Sequence, residues 1–211
     1  MHLLIKELIF PDPNTADEDG LVAIGGDLSI QRILLAYRSG IFPWYSEPFI
    51  GWYSPDPRFV LFPKELKVSK SMKTILNTKR FRFTVNKAFD QVIHNCKTTY
   101  RKGQPGTWIS AEMINAYTAM HKSGYAVSAE AWEGDTLAGG LYGLRLGNVF
   151  FGESMFSKVS NASKYAFIKY VQLLEKEGVQ LIDCQVYTEH LKSMGAEEIP
   201  RTNFLKLLKE K

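Results

Sequence analysis

The sequence predicts an α+β fold, with a small loop-rich N-terminal unit packed on a larger C-terminal domain of helices and sheet. Three observations carry this expectation. Gly and Pro clusters punctuate the first part of the chain, up to about residue 60. Beyond it, segments with helical and strand periodicity follow one another. Among them are three consecutive strand-like runs divided by short turns, which predict an antiparallel meander. A chain of 211 residues suits one domain with a small addition.

The punctuation is Phe10-Pro11-Asp12-Pro13, Gly25-Gly26-Asp27, Gly40-Ile41-Phe42-Pro43-Trp44 and Ser54-Pro55-Asp56-Pro57-Arg58. Between these clusters one helix is predicted over 29–39, with Ser29 as N-cap and Gly40 just past its end. Little remains for a core of its own, so residues 1–60 are expected to pack on a domain formed by 61–211. There, 69–77 and 86–96 read as helices, the second with Phe89, Val92, Ile93 and Cys96 on one face. Ser110 caps another helix over 110–123, which Gly124 ends. Strands follow over 126–132, 137–146 and 149–153, joined by Glu133-Gly134-Asp135-Thr136 and Gly147-Asn148. A long helix over 161–177, closed by Gly178, leads to a final buried strand over 179–186, and short helices finish the chain. This order is the one N-acetyltransferase-like folds show, in which two adjacent strands splay to admit an acyl donor. A fold alone is a prior about acyl transfer and no more.

Composition excludes several classes. The apolar share of 45% and charged share of 23% are those of an ordinary globular chain. A net charge of +4 is compatible with a nucleic-acid partner without establishing one. Two cysteines, Cys96 and Cys184, exclude a disulfide framework and suit a reducing cytosol. The N-terminus lacks signal-peptide architecture, and no apolar run approaches the roughly 20 residues of a bilayer span, so a cytoplasmic protein is expected. His2, His94, His121 and His190 show no ligand spacing, so no metal is expected. There is no Walker loop, and Gly25-Gly26-Asp27 lacks dinucleotide-binding spacing. Gly152-Glu153-Ser154-Met155-Phe156 begins like a nucleophile elbow but has Phe where the second Gly belongs.

Four constellations remain. In Leu181-Ile182-Asp183-Cys184-Gln185-Val186, strand alternation projects Asp183 and Gln185 to one face. An acid in such an apolar strand is costly to bury unless paired. It is either a satisfied carboxylate bonded to neighbouring backbone or one poised to accept a proton, with an amide beside it to orient a substrate. Glu153 admits a similar choice between an exposed strand end and a second acid recognising a cationic, amine-bearing substrate. Trp44 and Trp108, in loop-like contexts, are core filler or stacking platforms worth ~1–3 kcal/mol per base. The run from Lys67 to Arg82, with Lys67, Lys70, Lys73, Lys79, Arg80 and Arg82 among apolar residues, is either a solvated helix face or a phosphate-tracking patch.

Several stretches together carry a resemblance. They are Gly20-Leu21-Val22-Ala23-Ile24-Gly25-Gly26-Asp27-Leu28, Gly40-Ile41-Phe42-Pro43-Trp44, Trp52-Tyr53-Ser54-Pro55-Asp56-Pro57-Arg58, Gly106-Thr107-Trp108-Ile109, Gly152-Glu153-Ser154-Met155-Phe156-Ser157, Asn161-Ala162-Ser163-Lys164 and Leu181-Ile182-Asp183-Cys184-Gln185-Val186. In this order and over nearly the whole chain, the sequence resembles the leucyl/phenylalanyl-tRNA–protein transferase family. The resemblance implies a small N-terminal domain on an N-acetyltransferase-like domain, acting as a monomer with no cofactor. It implies transfer of Leu or Phe, and less well Met, from aminoacyl-tRNA to the α-amine of proteins beginning with Arg or Lys, which marks them for degradation. Asp183 and Gln185 are then the catalytic pair. Leu141, Phe150, Met155 and Tyr170 form the aminoacyl pocket, with Glu153 at its rim and Ile182 as a further lining residue, although strand alternation points Ile182 away from Asp183. Trp44 and Trp108 hold the terminal adenosine, and Lys70, Lys73, Lys79 and Arg80 contact tRNA phosphates.

The chain departs from the family pattern at Leu141, where Met is common, at Tyr170, where Phe is common, and at Val127, where His is frequent. Two rival readings are weaker. An acyl-CoA-dependent N-acyltransferase needs a Gly-rich turn ahead of the long helix, and Ser157-Lys158-Val159-Ser160-Asn161-Ala162-Ser163 contains no glycine. A non-catalytic tRNA-binding module gives no reason for Asp183 and Gln185.

Overall fold

The computed structural model describes residues 2–46, 49–99 and 109–209. Its N-terminal unit is built on a four-stranded sheet rather than on loops. The strands are β1 (His2–Leu4), β2 (Leu21–Gly25), β3 (Phe42–Ser46) and β4 (Phe49–Tyr53), in the order β1-β2-β4-β3. Strands of three to five residues are too short for an alternating pattern to accumulate, so the Gly and Pro clusters between them dominate the sequence signal. Pro43 is tolerated because β3 is an edge strand. The predicted helix is α1 (Ile30–Arg38), and the Ser29 hydroxyl accepts the Arg32 N–H at 3.4 Å. The expectation of a shared core holds. One apolar cluster joins Val22, Ile33 and Trp52 of this unit to Val92, Tyr117, Phe151 and Phe204 of the remainder.

The larger sheet has seven strands: β5 (Arg58–Leu61), β6 (Arg82–Val85), β7 (Ala126–Glu133), β8 (Thr136–Leu146), β9 (Val149–Ser157), β10 (Leu181–Gln185) and β11 (Glu197–Ile199). They lie in the order β11-β5-β10-β9-β8-β7-β6. On one face pack α2 (Lys70–Asn77) and α5 (Ala162–Lys176); on the other pack α3 (Phe89–Thr98) and α4 (Ala111–Lys122). Two short helices, α6 (Glu189–Lys192) and α7 (Arg201–Lys209), flank β11. All four residues predicted for the inner face of the second helix are buried. The meander, the long helix and their glycine-closed ends also match. Gly139 lets the start of α5 lie against β8, since a Cβ there would stand 2.7 Å from Ala162 Cβ.

In the larger sheet, three strands escape sequence reading. β5 and β11 are short, and β6 occupies the stretch just before Asn86, where no strand was expected. Asn86 turns the chain with φ of 57°, and its side chain accepts the Ser128 N–H at 2.9 Å, so α3 begins later than predicted. No helix among the described residues is long and apolar enough to cross a membrane.

The topology places one seam at the centre of the sheet. β9 and β10 run parallel and pair only from Leu181 opposite Val149 to Asp183 opposite Phe151. β9 then continues to Ser157, still paired with β8, while β10 turns away.

Candidate active site

Where the two strands part, a cavity of about 330 Å3 opens between the sheet, α5 and the N-terminal unit. Leu141, Phe150, Met155 and Ile182 line it, as do the polar residues Glu153, Gln185, Ser154, Thr188 and His190. Trp44, which is 37% exposed, stands at its wall from β3. Tyr170 does not reach the cavity. Its ring lies edge-on behind Phe150, with centroids 5.1 Å apart. Phe167 supplies the α5 contribution instead, one helical turn earlier on the same face, a spacing that helical periodicity could have pointed to. Trp108 lies outside the described residues.

Two β-bulges aim Glu153 and Gln185. Between β8 and β9 the register runs Tyr142 opposite Ser154, then Gly143 opposite Gly152, so Glu153 is the extra residue. Between β10 and β5 it runs Asp183 opposite Val60, then Gln185 opposite Phe59, leaving Cys184 as the extra one. Gln185 accordingly adopts φ of 65°, a left-handed conformation that only a surrounding structure can impose on a non-glycine residue. The simple alternation that put Asp183 and Gln185 on one face fails at this bulge. Gln185 turns into the cavity beside Ile182 and Cys184, and Asp183 stays behind the strand.

Glu153 is the centre of a three-donor network. Its Oε1 accepts the Tyr37 hydroxyl at 2.7 Å and the Gln185 Nε2 at 2.9 Å; its Oε2 accepts the Tyr117 hydroxyl at 3.0 Å. Burial raises its pKa from 4.5 to about 7, against the opposing pull of the two phenols and the amide, and the nearby Asp183 charge adds to the rise. Burial, then the Glu153 charge, pushes both phenols well above their usual range, so they remain donors at neutral pH. Cys184, at the cavity wall between the two site residues, has its thiol pushed up by burial and stays protonated rather than nucleophilic.

Asp183 is fully buried. Arg58 grips it with two bonds, Nε to Oδ1 at 2.8 Å and Nη2 to Oδ2 at 2.6 Å. The Gln185 backbone N–H donates to Oδ1 at 2.9 Å. Arg58 is itself wholly buried, and its guanidinium carbon lies 4.7 Å from the Phe42 ring centre and 4.5 Å from that of Phe204. Sequence reasoning did not single out Arg58, Tyr37 or Tyr117. Arg58 stood at the end of a Pro-rich motif; the two tyrosines lie 116 and 36 positions from Glu153, and no local pattern links them to it.

The basic residues lie elsewhere. Lys70 and Lys73 are exposed on α2, and Lys79 and Arg80 are exposed in the turn that follows. Arg80 is paired with Glu133 at 2.8 Å.

The family model described as leucyl/phenylalanyl-tRNA protein transferase matches residues 60–209, and that of the same family's N-terminal domain matches residues 26–56. A leucyl/phenylalanyl-tRNA–protein transferase of Flavobacterium johnsoniae is 57% identical over 213 aligned positions, covering 100% of both chains. One from an Anaeromyxobacter species is 54% identical over 97% of this chain and 88% of its own. Among solved structures, a GCN5-related N-acetyltransferase from Kribbella flavida aligns with a TM-score of 0.38 at 11% identity, covering 78% of this chain and 59% of that one.

Proposed function

The chain belongs to the leucyl/phenylalanyl-tRNA protein transferase family and is thus an aminoacyltransferase, and on that premise we propose the substrates and the residues that act on them. The donor is tRNA charged with Leu or Phe, and less well Met. The acceptor is the α-amine of a protein beginning with Arg or Lys, and the product is a cytoplasmic protein marked for degradation. The enzyme works as a monomer, with a small unit over residues 1–60 and a catalytic domain over 61–211. The observation that carries this reading is an apolar cavity with one carboxylate–amide pair on its wall.

The donor side chain enters the cavity among Leu141, Phe150, Met155, Phe167 and Ile182, which accept apolar groups and reject charged ones. Trp44 and Trp108 stack on the terminal adenosine, and Lys70, Lys73, Lys79 and Arg80 meet tRNA phosphates. The Arg80–Glu133 pair is at the surface, so its small worth does not prevent exchange for a phosphate.

The acceptor amine, with a pKa near ~7.7–8.0, must lose a proton before it attacks. Asp183 has no surface facing the cavity. Glu153 does, and its pKa of about 7 suits an acceptor of that proton at neutral pH. Gln185 donates through Nε2 to Glu153, so its carbonyl oxygen is the end that takes an N–H of the incoming amine and aligns the lone pair on the ester carbon. The amine nitrogen bonds to that carbon and the bond to the ribose 3′ oxygen breaks; the first proton of the ammonium has gone to Glu153, and the second, lost once the nitrogen has bonded, ends on that oxygen. The neighbouring ribose hydroxyl serves as the shuttle.

The test is transfer of labelled leucine from charged tRNA to a peptide beginning with Arg. Wild type is expected to transfer, and Gln185→Ala to lose on the order of 100-fold. A wild type that binds charged tRNA but transfers nothing overturns the proposal in favour of a tRNA-binding module.

A further inference from the structure

We infer that Arg58 is a positioning residue for transfer: through Asp183 it holds the left-handed turn that presents the Gln185 amide to Glu153 and the acceptor amine. The inference rests on the role given to Gln185 above and extends it to a residue that touches neither substrate.

The chain of contacts is continuous and short. Arg58 meets both oxygens of Asp183, at 2.8 and 2.6 Å, with the fork of donors that a planar guanidinium presents to a carboxylate. That grip fixes the carboxylate plane. Oδ1 then takes the Gln185 N–H at 2.9 Å, across the bulge at Cys184 where the pairing of β10 with β5 shifts register. Gln185 sits there at φ of 65°, and its Nε2 reaches Glu153 at 2.9 Å. A left-handed glutamine costs free energy unless something outside its own side chain holds it. Here the holder is the Asp183 oxygen, and Arg58 keeps that oxygen in place.

Arg58 is in turn held from three directions. It begins β5; Phe42 of β3 reaches its guanidinium from the N-terminal unit, and Phe204 of α7 reaches it from the C-terminal end. Its Nη1 is buried without a hydrogen-bond partner among the described residues, so the group is committed to Asp183 alone. An ion pair needed only for stability has no reason to be aimed at the strained residue of the site. Buried pairs are in general poor stabilisers compared with apolar packing of the same volume.

The experiment uses the full chain and Arg58→Lys, which keeps the charge and loses the fork. Expected is a folded protein with kcat lower by about 100-fold, the order of loss for a reacting group displaced by about 1 Å, and KM for leucyl-tRNA within about twofold. Phe204→Leu removes one ring from the guanidinium without altering the cavity, and is expected to lower kcat by roughly 3- to 10-fold with the same unchanged KM. It carries the test if Arg58→Lys does not fold. Adding Asp183→Asn to Arg58→Lys is expected to cost nothing beyond the larger single loss, because the two act as one unit.

Losses that multiply in the double variant, or a KM that rises while kcat holds, overturn the inference. A crystal structure of Arg58→Lys decides it independently of turnover. Gln185 is expected to leave the left-handed region and lose Glu153, and a Gln185 unchanged in backbone and amide contact overturns the role of Arg58 even in a protein that transfers nothing. Failure of wild type to transfer, by contrast, removes the reading of Gln185 as catalytic and leaves the crystallographic test of Arg58 standing.

Discussion

The two sides of β10 handle a carboxylate in opposite ways. Behind the strand, Asp183 is sealed, ion-paired to Arg58 and bonded to the backbone it supports. In front of it, Glu153 lines an open cavity, held by phenols and an amide and, among the described residues, by no cation, and burial lifts it to about 7. The same chemical group thus becomes an ion-paired anchor on one side and, on the other, a carboxylate that faces a cavity. Position in the apolar sequence did not separate these roles; the partner did.

The harshest way to break this contrast is to remove the anchor. Asp183→Ala leaves Arg58 charged, buried and unpaired, which costs about 3–5 kcal/mol of stability. Urea denaturation of the variant should show that loss, together with transfer below detection. If stability is unchanged, Asp183 does not anchor Arg58.

Removing the titrating carboxylate should do the reverse. In Glu153→Gln, transfer is expected to fall by about 100-fold or more, as for loss of a proton acceptor, while the fold survives. Stability should also report on Glu153 through its pH dependence. The folded-state pKa of Glu153 is raised from 4.5 to about 7, so the native state binds more protons than the unfolded chain in that window. The group therefore contributes stability at pH below 4.5, and loses that contribution as pH rises through about 7. Relative to wild type, Glu153→Gln should gain stability across that interval and hold it above. A difference that shrinks with rising pH has the wrong sign and rejects the assignment of the raised pKa to Glu153.

A smaller effect is expected from the cavity wall. Phe167→Ala enlarges the cavity and should shift preference from leucyl- toward phenylalanyl-tRNA by roughly 10-fold, within the ~1–3 kcal/mol that pocket shape can supply. Competition between the two charged tRNAs measures it. An equal loss for both substrates places Phe167 outside side-chain selection.

Much of the fold was legible because long elements carry periodic signals. The inner face of α3, the capped α4, the meander and the long α5 all exceed the length at which a pattern becomes unambiguous. β5, β6 and β11 and the strands of the N-terminal unit do not, and neighbouring Gly, Pro or Asn residues outweigh them. The site was legible by residue type but not by geometry. Asp183, Gln185 and Glu153 stood out as polar groups in apolar runs, yet period-two alternation set Asp183 and Gln185 on one face. A bulge is a one-residue irregularity without a composition signal of its own here, since Cys184 and Gln185 are ordinary strand residues. Arg58, Tyr37 and Tyr117 were invisible as a group because only the tertiary fold brings β5, α1 and α4 to one seam.

The finest test of the contrast acts on the donors that hold Glu153. Tyr37 and Tyr117 lie 2.6 Å apart at their hydroxyls, and both donate to the carboxylate, which lowers its pKa against the larger effect of burial. Tyr37→Phe removes one donor and keeps the ring that packs edge-on against Phe151. A hydrogen bond to a charged acceptor is worth about 1.5–3 kcal/mol, and one pKa unit is about 1.4 kcal/mol. With Tyr117 and Gln185 still in place to relax toward the vacated lone pair, a rise of about one unit is expected. The pH–rate profile of transfer should move alkaline by that amount, with the plateau rate little changed. The same substitution leaves Asp183 untouched, because its partners all lie on the other side of the strand. A profile that stays where it was, with a lower plateau, assigns Tyr37 to substrate contact and removes the phenols from the control of Glu153.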